Sequence, residues 1–422
     1  MSKAAIAILH YSSFPVIGGV ETIVQAHARL FADHGYPVKL IVGEGEPFDS
    51  RIPVTVIPEM RSLHRVDETL NRELEAGKAG KRFECIRDAL YRRLKEALAS
   101  VDIAIIHNLL TMHFNLPLTA ALARILEENP GSPGAKKFIA WCHDATFRDS
   151  HYARYWRDKD PWQLLSRSFS QVDYVAISQL RQRELSHLFQ LREEEIKVIP
   201  DGVAPSLFLN LSPPVRSIFK DFNLFNEDFV FFYPTRIVRR KNIELAIRIT
   251  KAVNIEGKKV SLIITSPPDP HNEDSLRYYQ TLKSLAGELG IGDKIIFLCE
   301  YRNEKGETIR VNEQLLRDLY LLSDLLLFPS AAEGFGIPVL EAGICRLPVA
   351  CSRIEPLTEV GGEEVLYFNL DDKPKKIAID IINHLTKHFT LPLFKKVFRR
   401  YTWPAIFSRK IEPLLRKKKT LA

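Results

Sequence analysis

Short apolar runs alternate with longer amphipathic segments along almost the whole chain, and this alternation restricts the fold more than any other feature of the sequence. Apolar runs rich in Ile, Val, Leu and Phe are typical of strands buried on both faces, and the segments between them are typical of crossover helices. The pattern therefore predicts an α/β protein with doubly wound parallel sheets. The predicted strands lie near 4–9, 38–42, 53–57, 102–107, 137–141, 173–177 and 196–199, and then near 229–233, 260–264, 295–298, 325–328, 348–351 and 365–368.

The strands form two series, which indicates two Rossmann-like domains. A chain of 422 residues is also too long for one α/β core, since domains usually hold roughly 100–200 residues. The turn-rich segment Pro-Asp-Gly-Val-Ala-Pro at 200–205 separates the series. We place the domains at 1–205 and 206–395, and we expect ligands beyond the carboxyl ends of the strands, in a central cleft between two facing sheets.

The positive charge is concentrated near the end of the chain. The net charge is +7, and residues 394–422 hold ten lysines and arginines against the single Glu412. A solvated helix face explains this tail best, attraction to an anionic membrane or substrate comes second, and nucleic acid comes third. Because no nucleic-acid-reading motif accompanies the charge, we expect no nucleic-acid partner.

Cysteine usage and hydropathy bear on location. The five cysteines are scattered without CxxC spacing, which favours buried free thiols in a reducing compartment. The sequence contains no run of eighteen apolar residues, so we expect no membrane-spanning helix. The expected location is the cytoplasm, with peripheral contact at the inner face of the membrane left open, and the oligomeric state is undetermined.

One basic amphipathic segment lies within an insertion at 60–98. Five apolar residues recur there at helical spacing among lysines and arginines, and they are Phe83, Ile86, Leu90, Leu94 and Leu98. A helix packed by this stripe is the simpler interpretation, and a membrane-surface helix is the alternative.

The stretch Ser-Ala-Ala-Glu-Gly-Phe-Gly-Ile-Pro-Val-Leu-Glu-Ala at 330–342 carries the most chemical information. It follows the predicted strand 325–328 and opens a helix, whose glycine-rich N-terminus can receive a phosphate on its backbone amides. Glu333 and Glu341 would repel a phosphate, but each carboxylate can accept two hydrogen bonds from a sugar diol. A helix-capping turn with a solvated glutamate is the alternative.

A basic loop follows the first strand of the second series. Its sequence at 233–242 is Tyr-Pro-Thr-Arg-Ile-Val-Arg-Arg-Lys-Asn. An arginine and a lysine together would offer a fork and a point charge to an anionic group, and the candidates in this loop are Arg236, Arg239, Arg240 and Lys241. Basic loops are more often simply solvated, but the position after a strand favours binding.

These two motifs resemble the E-x7-E and R-x4-K elements of the retaining glycosyltransferases of family 4, which have the GT-B architecture. The resemblance implies that Glu333 contacts the transferred hexose and that Glu341 contacts the ribose of the nucleotide. It also implies that Arg236 and Lys241 bind the diphosphate. The backbone amides that would cradle the sugar and phosphate belong to Gly334, Phe335 and Gly336.

The resemblance extends to the first domain, which would be the acceptor side. The loop Phe-Pro-Val-Ile-Gly-Gly-Val-Glu-Thr at 14–22 resembles the family's GGxE loop and would bring Gly19 to the donor phosphate. His143, at a strand end, would contact the donor sugar near the reacting carbon. Asn108, Thr111 and His113 follow the preceding strand as candidate acceptor contacts, with ordinary loop structure as the alternative. The segment 396–422 would form a terminal helix that crosses back to the first domain.

The predicted activity is retaining, metal-independent hexosyl transfer from a nucleotide sugar, with GDP-mannose and UDP-glucose as leading donors. His143, Arg236, Lys241 and Glu333 are the catalytic candidates. The acceptor would be a carbohydrate, a small polyol or acid, or a lipid-linked glycan, and no cofactor besides the co-substrate is expected. The base would be read near 298–302. A nucleotide-sugar epimerase of GT-B fold and a non-catalytic nucleotide-sugar-binding protein remain as alternatives.

Overall fold

The computed structural model describes residues 3–129, 135–146, 157–268, 273–387 and 390–416. The chain divides into two compact units. The first unit contains the residues up to Val203 together with those from Tyr401 onward, and the second unit is Ala204–Arg400. Each unit holds one parallel sheet, which confirms the prediction of an α/β protein with two doubly wound sheets.

The first unit is built on a seven-stranded parallel sheet with the order β3-β2-β1-β4-β5-β6-β7. Its strands are β1 Ile6–Ser12, β2 Val38–Glu44, β3 Val54–Val56, β4 Ile103–His107, β5 Lys137–Cys142, β6 Val172–Ala176 and β7 Ile196–Val198. Its helices before the second unit are α1 Gly19–Asp33, α2 Leu63–Val66, α3 Glu68–Glu75, α4 Lys81–Ala97, α5 Leu116–Glu127 and α6 Gln179–Phe189.

The second unit is built on a six-stranded parallel sheet with the order β10-β9-β8-β11-β12-β13. Its strands are β8 Phe229–Tyr233, β9 Val260–Ile264, β10 Ile295–Phe297, β11 Leu325–Phe328, β12 Val349–Ser352 and β13 Leu366–Phe368. Its helices are α7 Pro205–Phe208, α8 Pro213–Asp221, α9 Ile243–Ile255, α10 Glu273–Glu288, α11 Glu313–Leu322, α12 Ile337–Ile344, α13 Glu355–Gly361, α14 Pro374–Thr386 and α15 Thr390–Lys396.

Each sheet reverses its strand order at one point. In the first unit β1 pairs with both β2 and β4, and in the second unit β8 pairs with both β9 and β11. The crossovers on either side of such a reversal leave in opposite directions, so the loops after the two central strands diverge and open a crevice at their carboxyl ends. The fold therefore offers one ligand-binding edge in each unit.

The end of the chain is divided between the units. The sequence placed the boundary at 395/396, whereas the structure places it at 400/401. Residues up to Arg400 stay with the second unit because Arg399 donates to the carbonyls of Phe225 and Glu227 at 2.9 and 2.7 Å, and Phe398 stacks on Phe225.

The expected terminal helix is not one regular helix. A π-helical segment Val397–Tyr401 is followed by α16 Trp403–Ile406, a second π segment Phe407–Ile411 and α17 Glu412–Leu415. The extended Thr402 separates the first π segment from α16, and the missing N–H of Pro413 interrupts the α-helical hydrogen bonding where the second π segment continues into α17. The last six residues of the basic tail lie outside the described part of the chain.

The basic amphipathic segment of the insertion forms α4, and its apolar stripe packs inward. Leu90 and Leu94 are fully buried, and Phe83 lies in the small core beneath α3. Cations of α4 pair with neighbouring carboxylates, as in the pairs Arg82–Asp67, Arg93–Glu59 and Lys95–Glu128. Within the described residues, no helix has both the length and the apolar character needed to cross a bilayer.

Candidate active site

Two loops meet at the carboxyl edge of the second sheet. One follows β8 and the other follows β11, and the two strands are neighbours in the sheet. The loops are joined by a backbone hydrogen bond of 2.8 Å from the amide of Ala331 to the carbonyl of Arg240. The basic loop and the glycine-rich loop predicted from the sequence therefore form one continuous surface.

A buried tyrosine fixes this junction. The hydroxyl of Tyr233 donates to the carbonyl of Lys241 at 2.5 Å and lies 2.9 Å from Ser330 Oγ. Ser352 donates in turn to the carbonyl of Ser330. Burial raises the pKa of Tyr233, so the phenol stays protonated and able to donate. Sequence reasoning assigned no role to Tyr233, although a polar group at the end of the apolar strand Phe-Val-Phe-Phe-Tyr is a usable signal.

The candidate cations of the basic loop have different environments. Lys241 forms an ion pair with Glu333, and both side chains are about nine-tenths buried. Arg240 donates to the carbonyl of Ala332 at 3.0 Å and reaches Glu333 at 3.5 Å. Arg239 instead lies over the ring of Tyr278.

Arg236 is exposed and forms no ion pair with any residue that the structure describes. Its guanidinium is therefore available to an anion without displacing a protein carboxylate. Lys241, in contrast, would have to share its charge between Glu333 and a ligand.

The glycine-rich loop ends in the N-terminus of α12. Gly336 caps this helix with a φ of +107°, a backbone conformation that favours glycine. Space is open above Gly334, where an added Cβ would meet no atom within 4 Å. Glu341 lies in the second turn of α12, and Tyr320 of α11 donates to its Oε2 at 2.6 Å. Tyr320 is a contact that the sequence did not indicate.

The carboxyl edge of the first sheet contains a separate cavity of about 680 Å³. Its lining comes mainly from the end of β1, the start of α1, the loops after β4 and β5, and α6, and it contains three carboxylates and one arginine. Arg181 pairs with Asp144 at 3.2 Å and with Glu184 at 2.6 Å, so the cavity is polar and acidic in balance. Gly19 lines it as well, and an added Cβ there would meet nothing within 4 Å.

Glu21 is the third carboxylate of this cavity. It accepts a hydrogen bond of 2.7 Å from Ser12 and lies 3.7 Å from Nε2 of His10. Burial alone would raise the pKa of Glu21, but the interactions with His10 and Ser12 outweigh burial and hold the pKa at about 2. Glu21 belongs to the GGxE loop, yet the sequence singled out only Gly19.

The three candidate acceptor contacts differ in position. Asn108 lines the cavity, and its Oδ1 accepts from the amides of His143 and Asp144 at 2.7 and 3.2 Å. Thr111 is buried, with its hydroxyl directed at the carbonyl of Asn108. His113 lies 2.9 Å from the hydroxyl of Thr146 through Nδ1. Asn108 thus joins the ends of β4 and β5 as well as facing the cavity.

His143 is almost completely buried and directly precedes Asp144, which lines the cavity. Its Nε2 lies 3.0 Å from Nδ1 of His107, and its Nδ1 lies 3.8 Å from Oδ2 of Asp201. The imidazole therefore has only its Nδ1 side left for a ligand. In the described part of the chain, no three His, Cys, Asp or Glu side chains are grouped as metal ligands would be.

Comparison with known proteins identifies a family for both units. The model "Glycosyltransferase Family 4" matches residues 17–207, and the model "Glycosyl transferases group 1" matches residues 215–387. Together these ranges cover most of both sheets.

Several proteins from other organisms are similar to this chain over part of its length. A glycosyltransferase of Methanocaldococcus jannaschii is 26% identical over 57% of this chain and 58% of that protein. The mannosylglucosylglycerate synthases of Petrotoga mobilis and Thermotoga maritima are 26% and 25% identical, over 62% and 68% of this chain and 61% and 65% of those proteins. The aligned part thus spans about three fifths of the length of these relatives. On the two matching family models, this chain belongs to the family 4 glycosyltransferases, which have the GT-B fold.

Proposed function

We propose that this protein transfers a hexosyl group from a nucleotide sugar to a hydroxyl acceptor with retention of anomeric configuration. The observation that carries the proposal is the arrangement at the carboxyl edge of the second sheet. There a buried Lys241–Glu333 ion pair adjoins the glycine-rich N-terminus of α12, and Glu341 is held by Tyr320. This edge combines cations and free amides for phosphates with carboxylates for hydroxyls.

The diphosphate would be bound by Arg236, Lys241 and the amides of 334–336. Negative charge develops on the diphosphate as it leaves, and preorganised cations and dipoles stabilise such charge without rearranging. These groups supply the positive charge that a metal ion supplies elsewhere, so we expect transfer to be metal-independent. Turnover should persist in EDTA, and activity that EDTA abolishes and Mg²⁺ restores would contradict this part of the proposal.

The hexose and the ribose would each meet one carboxylate. Glu333 lies next to Lys241, so the sugar that it contacts would adjoin the phosphate that Lys241 contacts. Glu341 lies further along α12 and would accept hydrogen bonds from the ribose diol. Because Glu333 is already paired with Lys241 and Glu341 with Tyr320, both carboxylates are oriented before the ligand arrives.

Transfer would follow a front-face course. The bond between the anomeric carbon and the leaving phosphate oxygen breaks, and the acceptor oxygen bonds to the same face of that carbon. The acceptor proton passes to the leaving phosphate, so no enzyme nucleophile is consumed. Charge on the sugar is oxocarbenium-like in this process, and His143 would approach the sugar through Nδ1.

The donor and acceptor follow from chemistry and from the relatives. GDP-mannose and UDP-glucose remain the leading donors, and the name of the two synthases, mannosylglucosylglycerate synthase, favours a mannosyl group. The cavity of the first unit holds three carboxylates and an arginine already paired with two of them. Such a lining suits the hydroxyls of a sugar or polyol better than an acid group, so we assign the neutral, hydroxyl-rich end of the acceptor to it.

A thermal-shift screen tests the donor assignment. UDP, GDP and ADP are compared with uridine, guanosine and adenosine, which lack the phosphates. A nucleotide at 100 times its dissociation constant stabilises the folded protein by about 2.7 kcal/mol, so one diphosphate should raise the melting temperature while its nucleoside does not. If no diphosphate shifts the transition, the proposed donor site is wrong.

Acceptor-dependent product formation then separates transfer from the two alternatives. An epimerase would convert the donor without any acceptor, and a binding protein would give the thermal shift without turnover. We expect product only when a hydroxyl acceptor is present, detected by mass spectrometry of the reaction mixture.

A further inference from the structure

We propose that His107 and Asp201 are positioning residues that hold His143 in the tautomer with its proton on Nδ1. The inference rests on the proposed function in one respect, namely that His143 contacts the donor sugar. It goes beyond that function by stating which atom of His143 is offered to the ligand and which two residues determine this.

His107 and His143 are two buried histidines in direct contact. Nδ1 of His107 and Nε2 of His143 are 3.0 Å apart, and the two ring planes are inclined by 24° to each other. A hydrogen bond between two neutral imidazoles contains one proton, so one nitrogen donates and the other accepts. The distance alone leaves both directions open.

A carboxylate lies on the other side of the His143 ring. Oδ2 of Asp201 lies 3.8 Å from Nδ1 of His143, in the loop after β7. A carboxylate repels the lone pair of a bare nitrogen and attracts an N–H. The proton of a neutral His143 is therefore favoured on Nδ1, which makes Nε2 the acceptor and His107 the donor.

The protonation state of His107 follows from its surroundings. Its ring is fully buried between His27, Trp141 and His143, and burial, together with the charges of neighbouring histidines, lowers its pKa well below the usual value. His107 is therefore neutral and carries one proton. If that proton is on Nδ1, its Nε2 is a bare acceptor.

The surroundings of that Nε2 agree with an acceptor. Among the described residues it has no hydrogen-bond partner, and the same holds for Nε1 of Trp141 in the adjacent stacked ring. The indole nitrogen can only donate. The ring next to His107 therefore offers a hydrogen-bond donor and no acceptor, which agrees with a bare Nε2 on His107.

The consequence for the reaction concerns Nδ1 of His143. With the proton there, His143 presents an N–H donor to an oxygen of the donor sugar, while Asp201 supports any positive charge that develops on the imidazole. With the opposite tautomer, the bare nitrogen would face the ligand oxygen beside a carboxylate, and this donor contact would be lost.

The tautomer can be measured without any substrate. Two-bond ¹H–¹⁵N correlation spectra of histidine-labelled protein at neutral pH report which ring nitrogen carries the proton, and the His143→Ala variant assigns the signals. We expect the His143 pattern of a protonated Nδ1 and a bare Nε2. A protonated Nε2 in the wild-type protein would overturn the proposal whatever the enzyme's activity.

Two substitutions of His107 separate positioning from packing. In His107→Gln the side-chain amide can still donate to Nε2 of His143, whereas His107→Leu fills similar space without a donor. We expect kcat within about 5-fold of wild type for Gln and a loss of about 10- to 100-fold for Leu, as for other orienting partners. Equal kcat values and an unchanged His143 spectrum in both variants would reject the role of His107.

Asp201→Asn provides a second route, because this side chain is one-third exposed and its change is tolerated more easily by the fold. We expect mixed tautomers of His143 and a reduced kcat with little change in the KM for donor. The matched control is His187→Ala, which removes an exposed histidine of α6 and should change neither the His143 spectrum nor kcat. If His143→Ala itself turns over normally, the donor contact in the proposed function fails, while the spectra still decide the tautomer.

Discussion

At the residue scale, the ion pair Lys241–Glu333 has two functions that can be separated. Lys241 neutralises a carboxylate that is almost buried, and in the proposed site it also faces the diphosphate. Arg236 is exposed and has no ion-pair partner among the described residues. The two cations should therefore respond differently to the same substitution.

Replacing either cation by alanine should lower kcat/KM by about two to three decades, because each removes a fixed charge worth roughly 3–4 kcal/mol to the leaving group. Lys241→Ala should also reduce the free energy of unfolding by about 3 kcal/mol, since it leaves the buried Glu333 with only the exposed Arg240, at 3.5 Å, as an ion-pair partner. Arg236→Ala should leave unfolding unchanged. Initial rates and urea unfolding measure both effects, with Lys220→Ala, from an exposed ion pair, as the control. Normal rates in both variants would show that the diphosphate lies elsewhere.

Glu341 makes a contact of a different kind. A ribose contact is present equally before and during the reaction, so its loss should raise the KM for donor by about 10-fold or more with little effect on kcat. Tyr320→Phe keeps the ring that packs edge-on against Phe232 and removes only the hydroxyl that orients Glu341, so a smaller rise in KM is expected. Steady-state kinetics with varied donor measure both. Glu313→Ala, at the exposed start of α11, should behave as wild type, and a fall in kcat alone for Glu341→Ala would argue against the ribose assignment.

Glu21 should make the stability of the first unit sensitive to acid. Its pKa in the folded protein is about 2, below the ordinary 4.5, so folding favours the ionised form. The stabilisation is fully present above about pH 4.5 and is lost as the pH falls toward 2. Glu21→Gln should therefore cost roughly 2 kcal/mol at neutral pH, and its stability curve should meet that of wild type near pH 2. Urea unfolding across this range tests the prediction. A difference between the two stability curves that stays constant with pH would refute the prediction. The control is Glu44→Gln, from an exposed pair with Arg65, which should change the free energy of unfolding by less than about 1 kcal/mol.

At the element scale, the start of α12 is determined by two glycines with different requirements. Gly336 needs its positive φ to cap the helix, and an added Cβ would also approach Leu357 at 2.6 Å. Gly334 has an unstrained backbone with open space above it. The first glycine is thus required by the fold, and the second would be required by the ligand.

Gly336→Ala should lower the free energy of unfolding by about 1–3 kcal/mol because of the strained backbone. Gly334→Ala should leave stability within about 0.5 kcal/mol of wild type and raise the dissociation constant for the nucleotide diphosphate, since the methyl group occupies the space proposed for the phosphate or sugar. Thermal unfolding and calorimetric titration of the same two proteins provide the comparison. Unchanged binding by Gly334→Ala would remove this amide from the proposed site.

The elements also show how far sequence reasoning reaches. All thirteen predicted strands are present, because strands buried on both faces, such as β1 and β8, leave long apolar runs that few other structures produce. The segments that contain Gly19, Arg236 and Glu333 also follow the strands that the sequence indicated. The positions of these residues in the fold could therefore be predicted from motif and strand order together.

The remaining contacts could not be predicted, because they join residues that are distant in sequence and have no common pattern. The hydroxyl of Tyr320 reaches Glu341 from another helix, and His107 reaches His143 from a neighbouring strand. Only the register of the parallel sheet, in which His107 pairs with Trp141, brings the two histidines together. The irregular end of the chain was missed for another reason, since the extended Thr402 and two π-helical segments interrupt a pattern that otherwise reads as one helix.

At the scale of the whole molecule, the last segment of the chain completes the core of the first unit. Trp403 is buried edge-on against His27, its amide donates to the carbonyl of Val203, and Phe407 stacks on His34. Gly202 has no room for a side chain, because an added Cβ would lie 2.7 Å from the ring of Trp403. The stability of the first unit therefore depends on residues synthesised after the second unit is complete.

Trp403→Ala should consequently destabilise the first unit by about 3–5 kcal/mol, the usual cost of removing a large buried aromatic ring, and should leave the second unit unaffected. Hydrogen exchange resolved by peptide distinguishes the units where a single melting curve cannot. Exchange should accelerate in peptides from β1, β4 and β5 and stay unchanged in peptides from β8 and β11. Added nucleotide should still slow exchange in the second unit, where it is proposed to bind. Trp403→Phe, which retains an aromatic ring, should restore most of the protection. Equal acceleration in both sheets would mean that the two units unfold as one cooperative body, and the assignment of the C-terminal segment to the first core alone would then be wrong.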